Sequence, residues 1–593
     1  MGNYQNKPIG WYHTLFFLTL LFITFASIPS ASAQQIDQTI SWKKAYQQGK
    51  QAFGQKKYQL AVAYFELAEQ KYLKLHEAEG EMYEQITVWL ADAQEKVRVT
   101  KQNNEIRSWV MKANKARAKG DYQTALQYYK QVAKKYREVN GKDKNYTILL
   151  NNLATLYRDL AQYKQAEPLY LESLRVKEKL SGKNTEGYAI TLASLAELYQ
   201  DQGEIKKAIP LYQRALETLR QVVGKQHPSY ITTLNNLAEV YRAQGAYLQS
   251  IPMHEEAIRT TAATRGKKNY AYATYLNNLA GTYESLGKYD QAEPLFLEAK
   301  AIFEALFGKT HPRYGVFLGN LARLYQIKGD YSVAKSYYEQ SVEIIGQKLG
   351  KNHPQYALML GNLAGFYRLI GDYFKAECLL LNVVQIMRDK VGEKHPNYAL
   401  TIGNLASIYE QLGLTQKAER LYQEAVTILE QKVGVTNLRY IAALSNLALF
   451  YKLQEQYYKA EPLMIKVNEL MERSVGTQHP DYAITLKNLG ELYEIQGRSA
   501  QAEKLFVKGK NILANTLGIK HITYAFSVHT LGYFYQKQGK FEKAEKLMRE
   551  SLNIRASKLG KTHPDYAVSL NSLGQLYSAS KKYAQAISER QAF

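Results

Sequence analysis

The stretch YATYLNNLAGTYESLGKYDQAEPLFLEAKAIFEALFGKTHPR, residues 272–313, is the unit from which most of this chain is built. Its first half carries apolar residues three and four positions apart, which places them on one face of a helix: Leu276, Leu279 and Tyr283. Gly287 permits a tight turn into a second helix with Ala292, Phe296 and Ala299. Gly308 and the His311-Pro312 dipeptide end that helix, because proline cannot continue it. The unit is therefore predicted to be a pair of antiparallel helices.

The same pattern returns every 42 residues from Tyr146 onward without an insertion or deletion. A leucine column follows the period at 153, 195, 237, 279, 321, 363, 405, 447, 489, 531 and 573. Two such helices cannot bury their apolar faces alone, so neighbouring pairs must stack into one continuous core. The sequence predicts ten full units over 146–565 and a partial unit over 566–593.

Residues 34–145 are helical in pattern but irregular. Apolar residues recur at three and four positions, which predicts two divergent repeat units plus an intervening helix at the N-terminal end of the stack. The expected helices span 42–53, 58–75, 79–101 and 105–119, followed by one more helix after Gly120.

Residues 1–33 have the composition of a secretory signal peptide. Lys7 lies in a short polar segment, residues 15–28 form an apolar run, and Ala31-Ser32-Ala33 offers a cleavage site after Ala33. We therefore expect export to the periplasm, the cell surface or the extracellular space. An uncleaved membrane anchor is the alternative. No later stretch is apolar enough to span a bilayer, so no transmembrane segment is expected after cleavage.

The net charge of +23 favours an acidic partner, although the basic residues are spread over the repeats and also fit a solvated surface. Export argues against nucleic acid as that partner. A single cysteine, Cys378, excludes an intramolecular disulfide, so packing must stabilise the fold. The oligomeric state does not follow from composition.

The repeated residues resemble the tetratricopeptide repeat (TPR): Leu-Ala, then Tyr, Gly, Tyr and Ala at fixed spacings. The period of 42, with Asn-Asn-Leu-Ala, Ala-Glu-Pro-Leu and Gly-Lys-x-His-Pro, is similar to kinesin light chains and their bacterial relatives. The resemblance covers residues 146–593 strongly and 42–145 weakly. It implies an all-α, right-handed α-solenoid whose concave groove, lined by the first helix of each unit, binds a peptide or protein. The signal peptide departs from kinesin light chains and favours an exported bacterial relative.

An asparagine column just before the Leu-Ala pair is the main candidate site. Its members are Asn152, Asn236, Asn278, Asn320, Asn362, Asn404, Asn446 and Asn488. Asparagine is a poor helix former, and its amide can both donate to and accept from a peptide backbone. The resemblance implies that this position faces the groove. Hydrogen bonding between repeats, which would only fix the stack, is the alternative interpretation, and both can hold.

Specificity would come from variable cations on the same helices: Arg158, Arg242, Arg323, Arg368, Lys452 and Lys487. Arginine can bind a carboxylate through two parallel hydrogen bonds, so an acidic or C-terminal peptide is a candidate ligand. In other units glutamates such as Glu284 and Glu410 occupy the position held by Arg158, Arg242 or Arg368. A solvated helix face explains this mixture of positive and negative charges equally well.

No catalytic constellation or cofactor motif is recognisable, so the chain is predicted to be a non-enzymatic interaction scaffold. The His-Pro histidines lie a whole helix pair apart, too far to share a metal, and are interpreted as helix-start residues. The tyrosine columns are interpreted as core. One alternative is the regulatory or recognition arm of a larger, truncated protein, such as a caspase-like peptidase. Another is a protein that binds anionic envelope polymers.

Overall fold

The structure, a computed structural model, describes residues 36–76 and 80–580. Over those residues it contains 25 α-helices and no β-strand, which confirms the predicted all-α fold. The predicted signal peptide and the end of the last repeat, residues 581–593, lie outside the described residues. Within the described part, none of the helices combines the length and hydrophobicity that crossing a bilayer requires.

The N-terminal helices are α1 (Trp42–Gly54), α2 (Tyr58–Leu73), α3 (Glu81–Ala118) and α4 (Tyr122–Asn140). The first helices of the repeats are α5 (Lys144–Asp159), α7 (Glu186–Gln202), α9 (Pro228–Ala243), α11 (Tyr270–Ser285), α13 (Pro312–Lys328), α15 (Pro354–Leu369), α17 (Pro396–Gln411), α19 (Leu438–Leu453), α21 (Pro480–Ile495), α23 (Ile522–Lys537) and α25 (Pro564–Ala579). The second helices are α6 (Tyr163–Ser181), α8 (Ile205–Val222), α10 (Tyr247–Arg265), α12 (Tyr289–Phe307), α14 (Tyr331–Leu349), α16 (Tyr373–Lys390), α18 (Thr415–Val433), α20 (Tyr457–Val475), α22 (Ser499–Thr516) and α24 (Phe541–Leu559).

The described residues form two compact units. The smaller unit holds 36–118 and 124–153, and the larger unit holds 119–123 and 154–580. The smaller unit has its own aromatic core, in which Phe53 and Trp89 meet edge to face at 5.1 Å and Phe65 is fully buried.

The expectation of separate helices over 79–101 and 105–119 is wrong, because α3 runs without a break from Glu81 to Ala118. Asparagine in a helix interior costs only a few tenths of a kcal/mol relative to other polar residues, roughly, so Asn103 does not end the helix. Its side chain instead exchanges hydrogen bonds with that of Asn140 in α4, at 2.8 and 3.4 Å. A tertiary partner thus stabilises a residue that lies in the gap between the two expected helices.

Each helix pair of the larger unit packs around small residues. Ala280 in α11 and Ala292 in α12 are completely buried, so the two helices approach closely. Phe296 fills the space between them and contacts the next unit through Leu321 and Leu324. One unit therefore shares its core with the next, as the stacking argument predicts.

The His-Pro dipeptides begin the first helices. The imidazole Nδ1 of His311 accepts a hydrogen bond from the Arg313 N–H at 3.2 Å and so caps α13. Asn269 and Asn437 stand in the same position and accept through Oδ1. A side-chain acceptor here satisfies one of the free N–H groups at the start of a helix.

The larger unit is a superhelix whose successive turns touch. The cap residues of later units contact the turns between the two helices of earlier units, 236 residues back. His395 Nε2 lies 3.1 Å from the Asp159 carbonyl, Asn437 Nδ2 lies 3.0 Å from that of Asp201, and His479 Nε2 lies 3.4 Å from that of Ala243. One superhelical turn therefore takes between five and six units.

The first helices lie on the inner side of this superhelix. Successive first helices contact each other directly, for example α13 with α15 and α17 with α19. The contacts between successive second helices are weaker in the described residues. A stack bends toward the layer whose members lie closest together, so the odd-numbered helices form the concave face.

Candidate functional site

The seven asparagines of the column that belong to the larger unit, Asn236 to Asn488, lie on this concave face, between neighbouring first helices. Asn236 is buried, with 5 % of its surface exposed, and the other members are half-buried. Asn152 belongs to the smaller unit. None of the amides is fully exposed, so each must bond within the stack, bind a ligand, or stay incompletely satisfied.

From Asn236 to Asn320 the amides bond within the stack. Asn278 donates from Nδ2 to Asn235 Oδ1 at 3.2 Å, and Asn320 donates to Asn277 Oδ1 at 2.8 Å. In each case the acceptor stands 43 residues earlier, one position before the preceding member of the column. Asn236 instead donates to Glu197 at 2.9 Å. The inter-repeat bonding considered from the sequence thus occurs at these three positions.

Further along, the same amides have no hydrogen-bond partner among the described residues: Asn362, Asn404, Asn446 and Asn488. For Asn362, Asn404 and Asn446 the cause is a glycine at the acceptor position 43 residues earlier: Gly319, Gly361 and Gly403. Asn488 has Ser445 at that position, and no hydrogen bond joins the two side chains. A glycine has no side-chain oxygen to offer, so the ladder of amides stops. These four asparagines, on α15, α17, α19 and α21, are here called the free amide strip.

Internal packing does not require two of the glycines beside this strip. A Cβ on Gly361 would meet nothing within 4 Å, and a Cβ on Gly403 would have only Ala425 at 3.8 Å. Glycine inside a helix costs about 1 kcal/mol relative to alanine. Its use here leaves a shallow trough in which another backbone could approach the first helices closely.

Most of the predicted groove cations are held by carboxylates of the protein itself. Arg158 is buried among Asp159, Glu197 and Asp201, and Arg323 bonds the buried Glu284. Arg242 bonds Glu239 at 2.6 Å, and Lys452 and Lys487 both contact Glu491, at 2.8 and 2.9 Å. Arg158, Arg323 and Lys452 therefore join neighbouring first helices. Arg242 and Lys487 pair with a carboxylate of their own helix.

Arg368 on α15 differs from the other five. No carboxylate in the described residues lies within ion-pair distance of its half-buried side chain. Glu410 faces it at longer range and accepts a hydrogen bond from the Tyr422 hydroxyl at 2.8 Å. Burial raises the pKa of Glu410, which Tyr422 and Arg368 partly offset. Arg368, on the same helix as Asn362, thus has no direct ion-pair partner among the described residues and interacts with Glu410 only at longer range.

A buried polar cluster next to the bonded amides was not anticipated from the sequence. His254 on α10 is fully buried, with Nδ1 at 3.0 Å from Asn235 Oδ1 and Nε2 at 3.2 Å from Glu239. Arg242 and His254 together hold the pKa of the Glu239 carboxyl far below its usual range, despite its burial. The signal in the sequence was a histidine in the second helix, where sister units have an aromatic residue, methionine or leucine.

The tyrosines are structural, and their hydroxyls join successive units. In the column that includes Tyr325 and Tyr577, the ring is buried or half-buried. In several members the hydroxyl donates to a glutamate of the preceding second helix. Tyr325 bonds Glu293 at 2.6 Å, and Tyr577 bonds Glu545 at 2.8 Å. The Ala-Glu-Pro-Leu glutamates thus have a role in stacking that the sequence did not reveal. The described residues contain no cluster of His, Cys, Asp or Glu able to hold a metal ion.

An all-α stack of paired helices, with a concave face of half-buried amides, defines a solenoid-type repeat protein. The tetratricopeptide repeat model matches residues 106–179, 187–263, 271–347, 350–431, 439–514 and 524–588. These segments make up more than half of the sequence, so the chain belongs to the tetratricopeptide repeat family. The predicted family is thereby confirmed.

Kinesin light chain-like proteins are among the solved structures to which parts of this chain are similar. The nearly identical TPR-like repeats of a Podosopora anserina protein assigned to the kinesin light chains are 26% identical, with a TM-score of 0.30, and cover 35% of this chain and 97% of theirs. BtubC (BKLC) from P. vanneervenii is 25% identical, with a TM-score of 0.33, over 39% of this chain and 92% of its own. No curated protein matched.

Proposed function

We propose that this chain is a non-enzymatic scaffold that binds an extended, acidic peptide segment along the free amide strip. Proteins of this repeat family typically mediate protein–protein interaction, which sets the class of partner. The observation that carries the proposal is the loss of inter-repeat partners at Asn362, Asn404 and Asn446, which follows from glycine at the three acceptor positions.

The strip suits a peptide backbone because each amide offers both a donor and an acceptor. The side chains follow one another at the spacing of the repeat, so a segment lying along the concave face could bond several in succession. A backbone bound in this way would satisfy amides that are half-buried without partners, and leaving such groups unsatisfied costs about 1–3 kcal/mol each.

The acidic preference follows from Arg368 and from the overall charge of +23. A carboxylate from the ligand, either a side chain or a C-terminus, would form a charge-assisted pair with this guanidinium. The other predicted groove cations already have carboxylate partners within the protein. The remaining predicted site residues, Asn152, Asn236, Asn278, Asn320, Arg158, Arg242, Arg323, Lys452 and Lys487, are therefore assigned to the stack or to the edges of the site.

The test is selection from a display library of random peptides with free C-termini, followed by affinity measurement on the selected peptides. We expect enrichment of Asp and Glu, and at least tenfold weaker binding by Asn362→Ala/Asn404→Ala and by Arg368→Gln, or about 1.4 kcal/mol. The matched control is Arg420→Gln, on the second helix α18. Selected peptides that bind both groove variants as tightly as the wild type would overturn the proposal.

Salt dependence separates this proposal from binding of anionic polymers. A peptide held by amides and one arginine keeps most of its affinity at raised ionic strength, whereas a polymer held by dispersed charge does not. The alternative of a recognition arm for a larger peptidase finds no support in the comparisons with known proteins.

A further inference from the structure

Arg555, on the second helix α24, is a buried cation to which the described residues offer no carboxylate partner. Only 1% of its surface is exposed. No acidic side chain of the described part lies within ion-pair distance of its guanidinium, and Asp565 acts on it only from longer range. Burial lowers the pKa of Arg555, against the opposing effect of Asp565. A buried charge is ordinarily paired, because an unpaired one is costly to remove from water.

One side of this guanidinium is bonded to the next repeat. Nη1 donates to the Asp565 carbonyl at 2.9 Å and to the Ser569 hydroxyl at 2.7 Å, both on α25. The opposite side is unused: Nε is buried without a hydrogen-bond partner, and Nη2 makes no hydrogen bond within the described residues. Nε and Nη2 together form a fork that can donate two parallel hydrogen bonds to one carboxylate. This pair of donors is here called the open edge.

The bonds to the next repeat do not explain the choice of arginine. Lys177 stands at the equivalent position of an earlier unit, and its Nζ donates to the Gly187 carbonyl at 2.8 Å and to the Thr191 hydroxyl at 2.6 Å. The units between them have uncharged residues at this position: Leu219, Thr261, Phe303, Ile345, Met387, Leu429, Met471 and Leu513. A lysine can therefore make the same contact, and most units stack without any cation here.

The ring of Phe526, on the first helix α23, covers the guanidinium. Its centroid lies 4.4 Å from Cζ of Arg555. The ring is 44% exposed, whereas Arg555 beside it is enclosed. No other unit has an aromatic residue at this position, where isoleucine, threonine, valine, leucine or alanine stands instead. Exposed side chains change rotamer rapidly, so this ring can uncover the open edge without the movement of a helix.

His529, one turn after Phe526 on α23, supplies no negative charge. Its Nε2 lies 3.0 Å from the Ser572 hydroxyl, which itself donates to the Val568 carbonyl at 2.9 Å. Burial and Arg555 lower the pKa of His529 to about 4, so its ring is neutral at pH 7. The open edge therefore has neither a hydrogen-bond acceptor nor a directly paired negative charge among the described residues.

We propose that the open edge of Arg555 binds a carboxylate that reaches it from the concave face, with Phe526 as a movable cover. A carboxylate supplies two coplanar oxygens for Nε and Nη2, together with the negative charge that the guanidinium lacks. A phosphate dianion would place a second charge where only one buried cation can receive it. The site lies between α23, α24 and α25, away from the free amide strip, and does not rest on the proposed peptide binding.

The test is a titration of acetate, the smallest probe of this chemistry, into the full chain at constant ionic strength, followed by ligand-observed NMR. Arg555→Lys keeps a cation able to bond α25, as Lys177 bonds the helix that follows it, but has no fork. We expect it to bind acetate about tenfold more weakly than the wild type. Phe526→Ala removes the cover and should bind acetate more tightly. The matched control Arg549→Met removes an exposed cation of the same helix and should leave acetate binding unchanged.

Arg555→Met separates binding from packing. Sister units have methionine at this position, so the variant should fold, keep or raise its thermal midpoint, and lose acetate binding. A free organic acid and the C-terminus of a peptide share the same carboxylate chemistry. Competition with acetate by triglycine but not by triglycine amide would assign a peptide C-terminus, and failure of triglycine to compete would assign a small organic acid.

Four results would overturn the proposal. The wild type and Phe526→Ala could both fail to bind acetate, or Arg555→Lys could bind it as tightly as the wild type. Inorganic phosphate could bind more tightly than acetate, which would exclude a site for carboxylates. A fall of several degrees in the thermal midpoint of Arg555→Met would show that the stack itself uses the guanidinium. None of these measurements involves the free amide strip, so they are independent of the proposed function.

Discussion

Asn437 donates a hydrogen bond from Nδ2 to the main-chain carbonyl of Asp201 at 3.0 Å, although 236 residues separate them. Through Oδ1 the same side chain accepts from the Arg439 N–H at 2.9 Å and caps α19. One residue therefore begins a helix and joins two turns of the superhelix. Because the two bonds use different atoms, a substitution can remove one and keep the other.

Asn437→Ser should separate these roles. Serine still caps the helix but is too short to reach Asp201. We therefore expect the free energy of unfolding to fall by about 1 kcal/mol, the typical net value of one hydrogen bond. Hydrogen exchange should accelerate over residues 200–204. Urea unfolding and exchange mass spectrometry measure the two effects.

Asn269→Ser is the matched control for that change. Asn269 caps α11 in the same way, but its side chain is half-exposed and no turn of the larger unit precedes it by 236 residues. Equal effects of the two substitutions would mean that the contact between turns contributes nothing to stability.

The buried histidines that cap first helices, such as His395 and His521, should make the protein acid-sensitive. The pKa of His395 and that of His521 are lowered to about 4, mainly by burial. For His395 the Asp159 carbonyl opposes this shift, and nearby Arg439 and Lys432 act in the same direction as burial. The unfolded chain takes up these protons near the ordinary pKa of about 6.5. Stability is therefore full above pH 6.5 and falls as the pH drops toward 4, by on the order of 2–3 kcal/mol per histidine.

Chemical denaturation from pH 7.5 down to 4.5, about the range in which these groups should titrate, tests this expectation. His395→Asn/His521→Asn should flatten the profile, because asparagine does both jobs at Asn437 and does not titrate. His227→Asn, at a half-exposed cap, is the control and should leave the profile unchanged. An equally steep profile in the double variant would assign the acid sensitivity to other groups.

Gly361→Ala/Gly403→Ala should raise the thermal stability of the protein and weaken its binding of peptide. A Cβ fits at both positions, and alanine favours a helix interior over glycine by about 1 kcal/mol each, so the thermal midpoint should rise. The trough beside the free amide strip becomes shallower, and peptide binding should weaken about fivefold, or 1 kcal/mol.

The contrasting substitution is Gly315→Ala, where a Cβ would lie 3.2 Å from Ile345 and 3.3 Å from the Ser341 carbonyl. We expect it to lower the midpoint. A double variant at Gly361 and Gly403 that gains stability and still binds its selected peptide at full strength would show that the trough is not used.

Arg323→Ala and Arg368→Ala should differ in their effect on folding. Removal of Arg323 leaves the buried Glu284 without its partner, which typically costs about 3–5 kcal/mol. Removal of Arg368 breaks no ion pair in the described residues and should change stability by about 0.5 kcal/mol or less. Urea unfolding measures both changes, and a similar large loss for both would place Arg368 in the stack and not in a binding site.

Helix pairing and stacking could be predicted from the sequence because they depend on short-range periodicity. Leu279, Ala280 and Tyr283 recur at helical spacing, and the Gly and His-Pro signals mark each helix end. The break expected near Asn103 was wrong because its partner, Asn140, is a tertiary contact. The sequence pattern also led to the same prediction for every asparagine of the column, since nothing in the column itself distinguishes Asn278 from Asn362.

The sequence by itself determined the helices, their caps and the order in which they stack, because these rest on contacts within a unit or between adjacent units. Only the tertiary structure decided which asparagines keep a partner, since that depends on the residue one helix away, and which cations face a carboxylate. It also decided that His395 and Asn437 join turns 236 residues apart, because small rotations between units accumulate over five repeats before the chain meets itself. The stretch at 272–313 thus specifies a helix pair, whereas the curvature of the stack decides which repeat units contact an earlier turn of the superhelix.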